Sequence, residues 1–317
     1  MPLPSAFPSG EFTSRPFTGR ADLAAIQAPM SASWAGPRRP FVGGTPGDLE
    51  WWTCQGGPDA DWPSRIRIWE RDGEVVGWGW FSPPSSLDWF VAYSVAADDE
   101  RRLRGQILDW VESRARDVRP ADVTDPLELL AWAGEGWSEE AVLLERGWTA
   151  TSTALSQFVQ PLDIELDPPR VPDGYVLRHV RGPHDFPARV DAHRAAFAPS
   201  KLTVEKYALL PALPHYRLEH DLVVEAPDGS IAGFAICWLD PIGSVGEFEP
   251  VGTHPDHQRR GLGRVIMRAG LRLMRDAGLR DALVFSDRSN TASEALYHSA
   301  GFERVATHRQ YSRSIDG

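Results

Sequence analysis

The sequence predicts an α/β protein, more narrowly α+β, built as two tandem domains. Three observations predict this. The chain has 317 residues, too many for one typical domain and well suited to two. Its strand and helix patterns run once, stop at a proline-rich stretch, and run again in the same order. Charged runs entering amphipathic helices occur at matching places in the two halves, which is the mark of an internal repeat. The hydrophobic share of 42% is ordinary for a globular protein.

The elements follow in order. Residues 1–11, rich in Pro, Ser and Gly, read as a loose N-terminal arm. Phe12–Phe17 reads as a strand and Ala21–Met30 as a helix. Residues 35–63 are crowded with Gly, Pro and Trp and read as a long loop or short helical turns. Arg65–Trp69 and Val75–Phe81 alternate polar and apolar around Arg71-Asp72-Gly73-Glu74, a hairpin signal. Trp89–Val95 is a further strand. Residues 99–117 are helical, with Leu103, Ile107, Trp110 and Val111 on one face. Ser138–Arg146 is a helix stopped by Gly147, and Thr149–Val159 closes the half as a strand. Residues 161–173, Pro-Leu-Asp-Ile-Glu-Leu-Asp-Pro-Pro-Arg-Val-Pro-Asp, read as a semi-rigid linker. The expected division is 12–160, 161–173 and 174–317.

The second half restarts with a strand at Tyr175–Val180, a helix at Phe186–Phe197 and a helical segment near 203–210. Leu222–Ala226 and Ile231–Leu239 form a hairpin around Pro227-Asp228-Gly229-Ser230. Ala282–Phe285 is a strand, Thr291–Ala300 a helix, and Phe302 to Arg313 the last strands. The halves correspond residue by residue in places. Arg15 with Asp22 parallels Arg178 with Asp185. Asp72-Gly73 parallels Asp228-Gly229, and Glu100-Arg-Arg-Leu103-Arg-Gly105 parallels Gln258-Arg-Arg-Gly261-Leu-Gly263. Leu143…Gly147-Trp148 parallels Tyr297…Gly301-Phe302.

One stretch organises the second half: Glu247-Phe-Glu-Pro-Val-Gly-Thr253-His-Pro-Asp-His-Gln258-Arg-Arg-Gly261-Leu-Gly263-Arg. It reads as a strand, a tight turn and a glycine-rich entry into an amphipathic helix from Leu262 to Ala277 that ends at Gly278. Backbone N–H groups of residues 259 to 264 then face outward at the positive end of a helix dipole, flanked by Arg259, Arg260 and Arg264. That is a site for a pyrophosphate. At Gly261 and Gly263 a Cβ would obstruct the approach of phosphate oxygens.

Gln258-Arg-Arg-Gly-Leu-Gly263 resembles the Gln/Arg-x-x-Gly-x-Gly/Ala signature of the GNAT superfamily of acyl-CoA-dependent N-acyltransferases. Thr253-His-Pro255 stands where that family has Val-x-Pro. Asn290…Leu296-Tyr297…Gly301-Phe302 resembles its second signature, in the right order. The resemblance is strong over 221–313, weaker over 174–220, and visible over 12–159 only through the repeat. It implies two GNAT-like domains, each a mixed, mostly antiparallel sheet flanked by helices. It also implies that Val251, Gly252, Thr253, Gln258, Arg259, Arg260, Gly261, Leu262, Gly263, Arg264 and Asn290 hold acetyl-CoA, the acyl donor. Among the family's tandem forms, mycothiol synthase has a similar length and an active second domain.

Transfer of an acyl group from a thioester to an amine requires the amine to lose a proton, the oxyanion to find donors, and the departing thiolate to be protonated. Glu247 and Glu249, spaced by two, share a strand face unless a bulge intervenes. Either could take the amine's proton, directly or through water, and the family's pattern favours Glu247. Tyr297 matches the family's general acid. In the first half Trp89 and Val91 replace the glutamates, Leu103 the first glycine, and Leu143 the tyrosine. The first domain is therefore expected to be degenerate, with Leu103 crowding the phosphate path.

Composition limits the partners. A net charge of −11 argues against a nucleic-acid partner and favours a cationic small-molecule acceptor such as a protonated amine. Cys54 and Cys237 cannot build a disulfide framework. No apolar run reaches the roughly 18 residues of a membrane helix, so a cytoplasmic location is expected, with no membrane partner. His254-x-x-His257 lacks a third ligand of suitable spacing, so no metal is expected. Twelve of the 13 Trp precede residue 149, which points to core packing or an aromatic pocket. Tyr207, His215, Tyr216 and Trp238 are pocket candidates by position. The expected function is an acetyl-CoA-dependent N-acetyltransferase that acts on a primary amine in a ternary complex. The alternatives are a mycothiol synthase-type acceptor, a non-catalytic acyl-CoA-binding protein, and an aminoacyl-tRNA-dependent transferase, which the charge disfavours.

Overall fold

The structure is a computed structural model, and it describes residues 11–36, 44–119 and 125–315. The expected N-terminal arm lies outside the described residues up to Gly10. Along the chain run β1 (Thr13–Pro16), α1 (Arg20–Ala35), α2 (Pro46–Gly56), α3 (Trp62–Arg65), β2 (Ile66–Arg71), β3 (Glu74–Ser82), β4 (Ser86–Val91), α4 (Ala97–Val118), β5 (Leu127–Gly134), α5 (Ser138–Glu145) and β6 (Thr149–Pro161). There follow β7 (Val176–His179), α6 (Phe186–Ala196), α7 (Val204–Tyr207), β8 (Asp221–Glu225), β9 (Ile231–Asp240), β10 (Val245–Thr253), α8 (Leu262–Asp276), β11 (Asp281–Asp287), α9 (Thr291–Ala300) and β12 (Glu303–Ile315).

The chain forms two compact units, and these differ from the expected linear division. Among the described residues, one holds 11–33, 61–119, 125–156 and 306–315; the other holds 34–36, 44–60 and 157–305. The physical reason lies in two exchanged segments. α2 buries Trp51 and Cys54 in a cluster with Phe186, Val190, Tyr207 and Phe234 of the second unit. The end of β12 pairs antiparallel with β5, from His308 opposite Gly134 to Ile315 opposite Leu127.

In the first unit the strands lie in the order β1-β2-β3-β4-β5-β12-β6. β1 to β4 are antiparallel neighbours, and β5 joins β4 in parallel. α4 packs closely on β3, because Gly77 and Gly79 leave room for Leu103 and Ile107. β5 is an addition to the expected elements. Leu127-Glu-Leu-Leu-Ala-Trp-Ala-Gly134 is apolar on both faces and shows no polar alternation.

In the second unit the order is β6-β11-β10-β9-β8-β7, with β10 and β11 the parallel pair. Alternation along β9 divides its core. Phe234, Ile236 and Trp238 face α2 and α6, whereas Ala235 and Cys237 face α8. The stretch read as a linker is fastened to this unit: Leu162 and Leu166 are buried in the α8-side core, and Arg268 meets Asp167 at 2.8 Å.

The stretch 35–63, expected as a long loop or short helical turns, contains an eleven-residue helix, α2. Pro46 is pre-set for a first helical position. Thr45 and Asp48 close a capping box: the Thr45 oxygen accepts from the Gly47 N–H at 3.2 Å, and the Thr45 N–H donates to Asp48 at 3.3 Å.

Candidate active site

β10 and β11 pair only from Val245 opposite Asp281 to Glu247 opposite Leu283, and then part. A bulge follows at once. Phe248 opposes Cys237 and Val251 opposes Ala235, so Glu249 and Pro250 share one place in the register. Bulge and separation together leave a slot in the sheet beside Glu247 and Glu249.

Glu247 lies opposite Trp238 in register and so faces the α2 side. It has no exposed surface, and no donor bonds either carboxylate oxygen. Burial first, and the nearby Asp48 charge second, hold its carboxyl well above the usual range, with Glu249 adding to the effect. Glu249 is partly buried, and the same two causes push it up to about 8. Trp238 fixes the bulge by donating from its indole N–H to the Glu249 carbonyl at 2.6 Å.

Tyr297, on α9, is 5% exposed and packs edge-on against Phe158. Its hydroxyl is raised by burial and, secondarily, by the Glu249 charge. It therefore stays protonated and is able to donate.

The turn beyond β10 opens with a 3-10 helix, Pro255–His257. Arg259 (φ 60°) and Gly261 (φ 81°) then adopt left-handed conformations. The first backbone bond into α8 runs from the Val265 N–H to the Gly261 carbonyl at 3.2 Å. The N–H groups of residues 259–264 have no partner among the described residues, as the start of a helix requires. Gln258, Arg259, Arg260, Gly261 and Arg264 are exposed, and the three arginines form no ion pair among the described residues. A Cβ on Gly261 would meet nothing within 4 Å, so glycine serves the left-handed backbone and leaves the turn open. Gly263 has a different use: a Cβ there would press on Leu296 at 2.9 Å, so it brings α8 against α9. Val251 is partly buried on the α8 side, Gly252 lies against the Phe234 ring, and Thr253 ends the strand opposite Gly233. Leu262 is core. Asn290 caps α9, accepting from the Ser293 N–H at 3.1 Å.

The first unit keeps the parallel pair but closes the slot. β4 and β5 pair at Ser86 and Leu87, then part, and the Trp89 indole N–H bridges the gap to the Trp132 carbonyl at 2.8 Å. α4 begins at Ala97, with the Glu100 N–H bonded to the Ala96 carbonyl at 2.8 Å. Residues 101–105, which match the open turn of the second half, therefore lie inside a helix and their N–H groups are consumed. Arg104 is turned inward, 2.8 Å from Glu100 and 3.3 Å from Glu139. Leu103 does not crowd a phosphate path as expected; it is fully buried under Gly77.

The pocket candidates are structural. Tyr207 and Tyr216 both donate to buried Asp221, the latter at 3.0 Å, and Arg189 meets the same carboxylate at 3.0 Å. Trp238 is core, and His215 is held 2.6 Å from buried Glu50. His254 caps the 3-10 helix, and His257 lies 3.1 Å from the Tyr175 hydroxyl. Sequence reasoning missed α2 and its cap at Thr45 and Asp48. Their signal, Thr-Pro-Gly-Asp with cap spacing, was present but lay among breakers.

Comparison with known proteins places these features in context. The family model described as "Acetyltransferase (GNAT) family" matches residues 190–302. A mycothiol acetyltransferase of Salinispora arenicola is 33% identical over 63% of this chain and 67% of its own. One of Thermomonospora curvata is 30% identical over 78% and 82%. Among solved structures, a GCN5-related N-acetyltransferase from Sphaerobacter thermophilus superposes with a TM-score of 0.67 at 18% identity, covering 99% of this chain and 98% of that one. A tandem GNAT protein from the clavulanic acid biosynthesis pathway gives 0.64 at 16% identity, covering 96% and 98%. At such identities the superpositions speak for the fold.

Proposed function

The chain belongs to the GNAT acetyltransferase family, and from that premise we propose that its second unit moves acetyl from acetyl-CoA to the primary amine of a small molecule. The observation that carries this reading is the run of unpartnered N–H groups at 259–264, which opens α8 next to the gap at Glu247. The pyrophosphate binds that turn, with Arg259, Arg260 and Arg264 alongside. The pantetheine follows the gap between β10 and β11. The carbonyl oxygen of the thioester meets β10 N–H groups that β11 no longer pairs.

The acceptor enters as an ammonium ion. Glu247 takes one N–H proton, and the freed lone pair attacks the thioester carbon. The resulting tetrahedral adduct expels the thiolate, which takes its proton from Tyr297. The nitrogen's remaining surplus proton leaves to solvent, and the Tyr297 phenolate and Glu247 return to their starting states. One ammonium and one thioester thus give one amide, one thiol and one proton.

The acceptor we assign is the unacetylated precursor of mycothiol. The support is that relatives at 30–33% identity carry the name mycothiol acetyltransferase. Release of free CoA from acetyl-CoA in the presence of that precursor, glucosamine or spermidine tests both levels. Turnover with the precursor alone is expected. Turnover with another amine only would remove the acceptor assignment and keep the chemistry. No turnover with any amine, together with acetyl-CoA binding, would favour a non-catalytic protein.

A further inference from the structure

The first unit lacks the open turn, yet it keeps an acid in the place that Glu247 takes in the second. β4 and β5 pair at Ser86–Leu130 and Leu87–Ala131 and then part, and the next residue on β4 is Asp88. Asp88 stands opposite Trp80 on β3. Glu247 stands in the same way opposite Trp238 on β9, at the last paired residue of β10 and β11. The faces correspond as well. Gly77 and Gly79 of β3 face α4, so the alternate residues Trp78 and Trp80, with Phe90 and Asp88 opposite them, lie on the face turned away from that helix. Glu247 shares with Trp238 the face turned away from α8. Each half thus sets an acid against a tryptophan, at the split between its parallel strands, on the side away from α4 or α8.

Asp88 has no hydrogen-bond or ion-pair partner among the described residues. It is partly exposed, yet burial pushes its carboxyl up to about 6 with no charged group contributing. An acid that solvent reaches and that is still desolvated lies in a recess. The walls are aromatic. Trp80 is its register partner, and the Trp62 ring meets Trp80 edge-on at 5.2 Å. Across the strand split, β5 carries the partly exposed Trp132 on the same face, two residues beyond Leu130. A second polar group on this face also lacks a partner. Trp78, the diagonal neighbour of Asp88, is 2% exposed and stacks on Phe90 at 6.1 Å, and its indole N–H finds no acceptor.

We propose that the first unit binds a small ammonium ion that carries a neighbouring hydroxyl, as in an amino alcohol or amino sugar, with Asp88 as its counter-ion. The ammonium N–H groups donate to the Asp88 carboxylate, and the charge lies against the Trp80 and Trp132 rings. The ligand's hydroxyl oxygen accepts from the Trp78 N–H. A lone carboxylate among indoles offers too few oxygen ligands for a metal ion. Because α4 consumes the N–H groups of residues 101–105, no acyl donor is held beside this amine, and it is bound and released unchanged. The acceptor half of the repeat thus outlasts the donor half. Binding at Asp88 is independent of acetyl transfer in the second unit, so either can fail without the other.

The test is 19F NMR of the full chain labelled with fluorotryptophan and titrated with ethanolamine. The Trp62→Phe, Trp78→Phe and Trp132→Phe variants identify the three signals by their loss. In the wild type all three should move saturably. Asp88→Asn should weaken binding by about tenfold or more, while the other tryptophan signals keep their wild-type positions and show that the variant is folded. Glu247→Gln should leave the titration unchanged. Ethylammonium, which lacks the hydroxyl, should bind several-fold more weakly, and ethylene glycol, which lacks the charge, should produce no saturable shift. No saturable shift in the wild type overturns the proposal, as does undiminished binding in Asp88→Asn. Loss of the shifts in Glu247→Gln would overturn it by placing the amine in the second unit. Equal affinity for ethylammonium overturns the contact to Trp78.

Discussion

Tyr297 and the two glutamates carry the most direct expectations. Tyr297→Phe removes a donor and nothing from the packing against Phe158. Acetyl-CoA should bind as before, and kcat should fall by about 10²- to 10⁴-fold, the usual worth of one proton-transfer device. Equal loss of binding would mean that the hydroxyl holds the thioester instead. Glu249 supplies a stability test with a definite sign. Its folded-state carboxyl, near 8, binds a proton more tightly than an unfolded glutamate does. Its contribution therefore declines as pH rises from about 4.5 to 8, and is fully lost above that window. Glu249→Gln escapes this loss. Its melting temperature should gain on the wild type through that window and level off above it; a flat difference would mean that Glu249 is solvated. The candidates Glu247, Glu249 and Tyr297 can be named from the sequence, because they stand at fixed offsets from glycine-marked turns. The packing of Gly47 on Trp238 cannot, since folding closes it across nearly 200 residues.

At the level of elements, α2 joins sequence to site. Thr45→Ala removes the cap oxygen and should cost about 1 kcal/mol of stability, read as a lower denaturant midpoint. An unchanged midpoint would mean that the Thr45 oxygen contributes nothing as a cap. Strands and helices with clean periodicity could be read in advance: the hairpins at β2–β3 and β8–β9, and α8 with its apolar stripe. α2 was hidden because Gly, Pro and Trp lower local helix propensity, and tertiary burial of Trp51 and Cys54 overrides that. β5 was hidden for the opposite reason, being apolar on both faces. The slot itself has no signal in the local residue pattern, and only the resemblance to the family implies a splayed strand there. It depends on where two parallel strands stop pairing, and register is set by partners remote in sequence.

For the whole molecule, the two halves start from one pattern and end in different states. The second keeps an open turn before α8, where the N–H groups of residues 259–264 have no partner among the described residues. The first extends its helix through the same residues and uses Arg104 for internal ion pairs with Glu100 and Glu139. The full chain should therefore bind one equivalent of acetyl-CoA by calorimetry. Gly261→Leu should abolish that binding. Its melting temperature should fall by a few degrees: the added side chain meets open space, but the left-handed backbone costs about 1–2 kcal/mol for an L-residue. The sharper test is Trp89→Ala, which removes the bridge across the first unit's strand gap. If the indole were the sole obstacle, a second equivalent would bind. We expect none, because anion binding depends on free N–H groups at a helix start, and those of residues 101–105 are already bonded within α4. Binding of a second equivalent by Trp89→Ala would show that strand separation, and not the helix start, is what the first half lost.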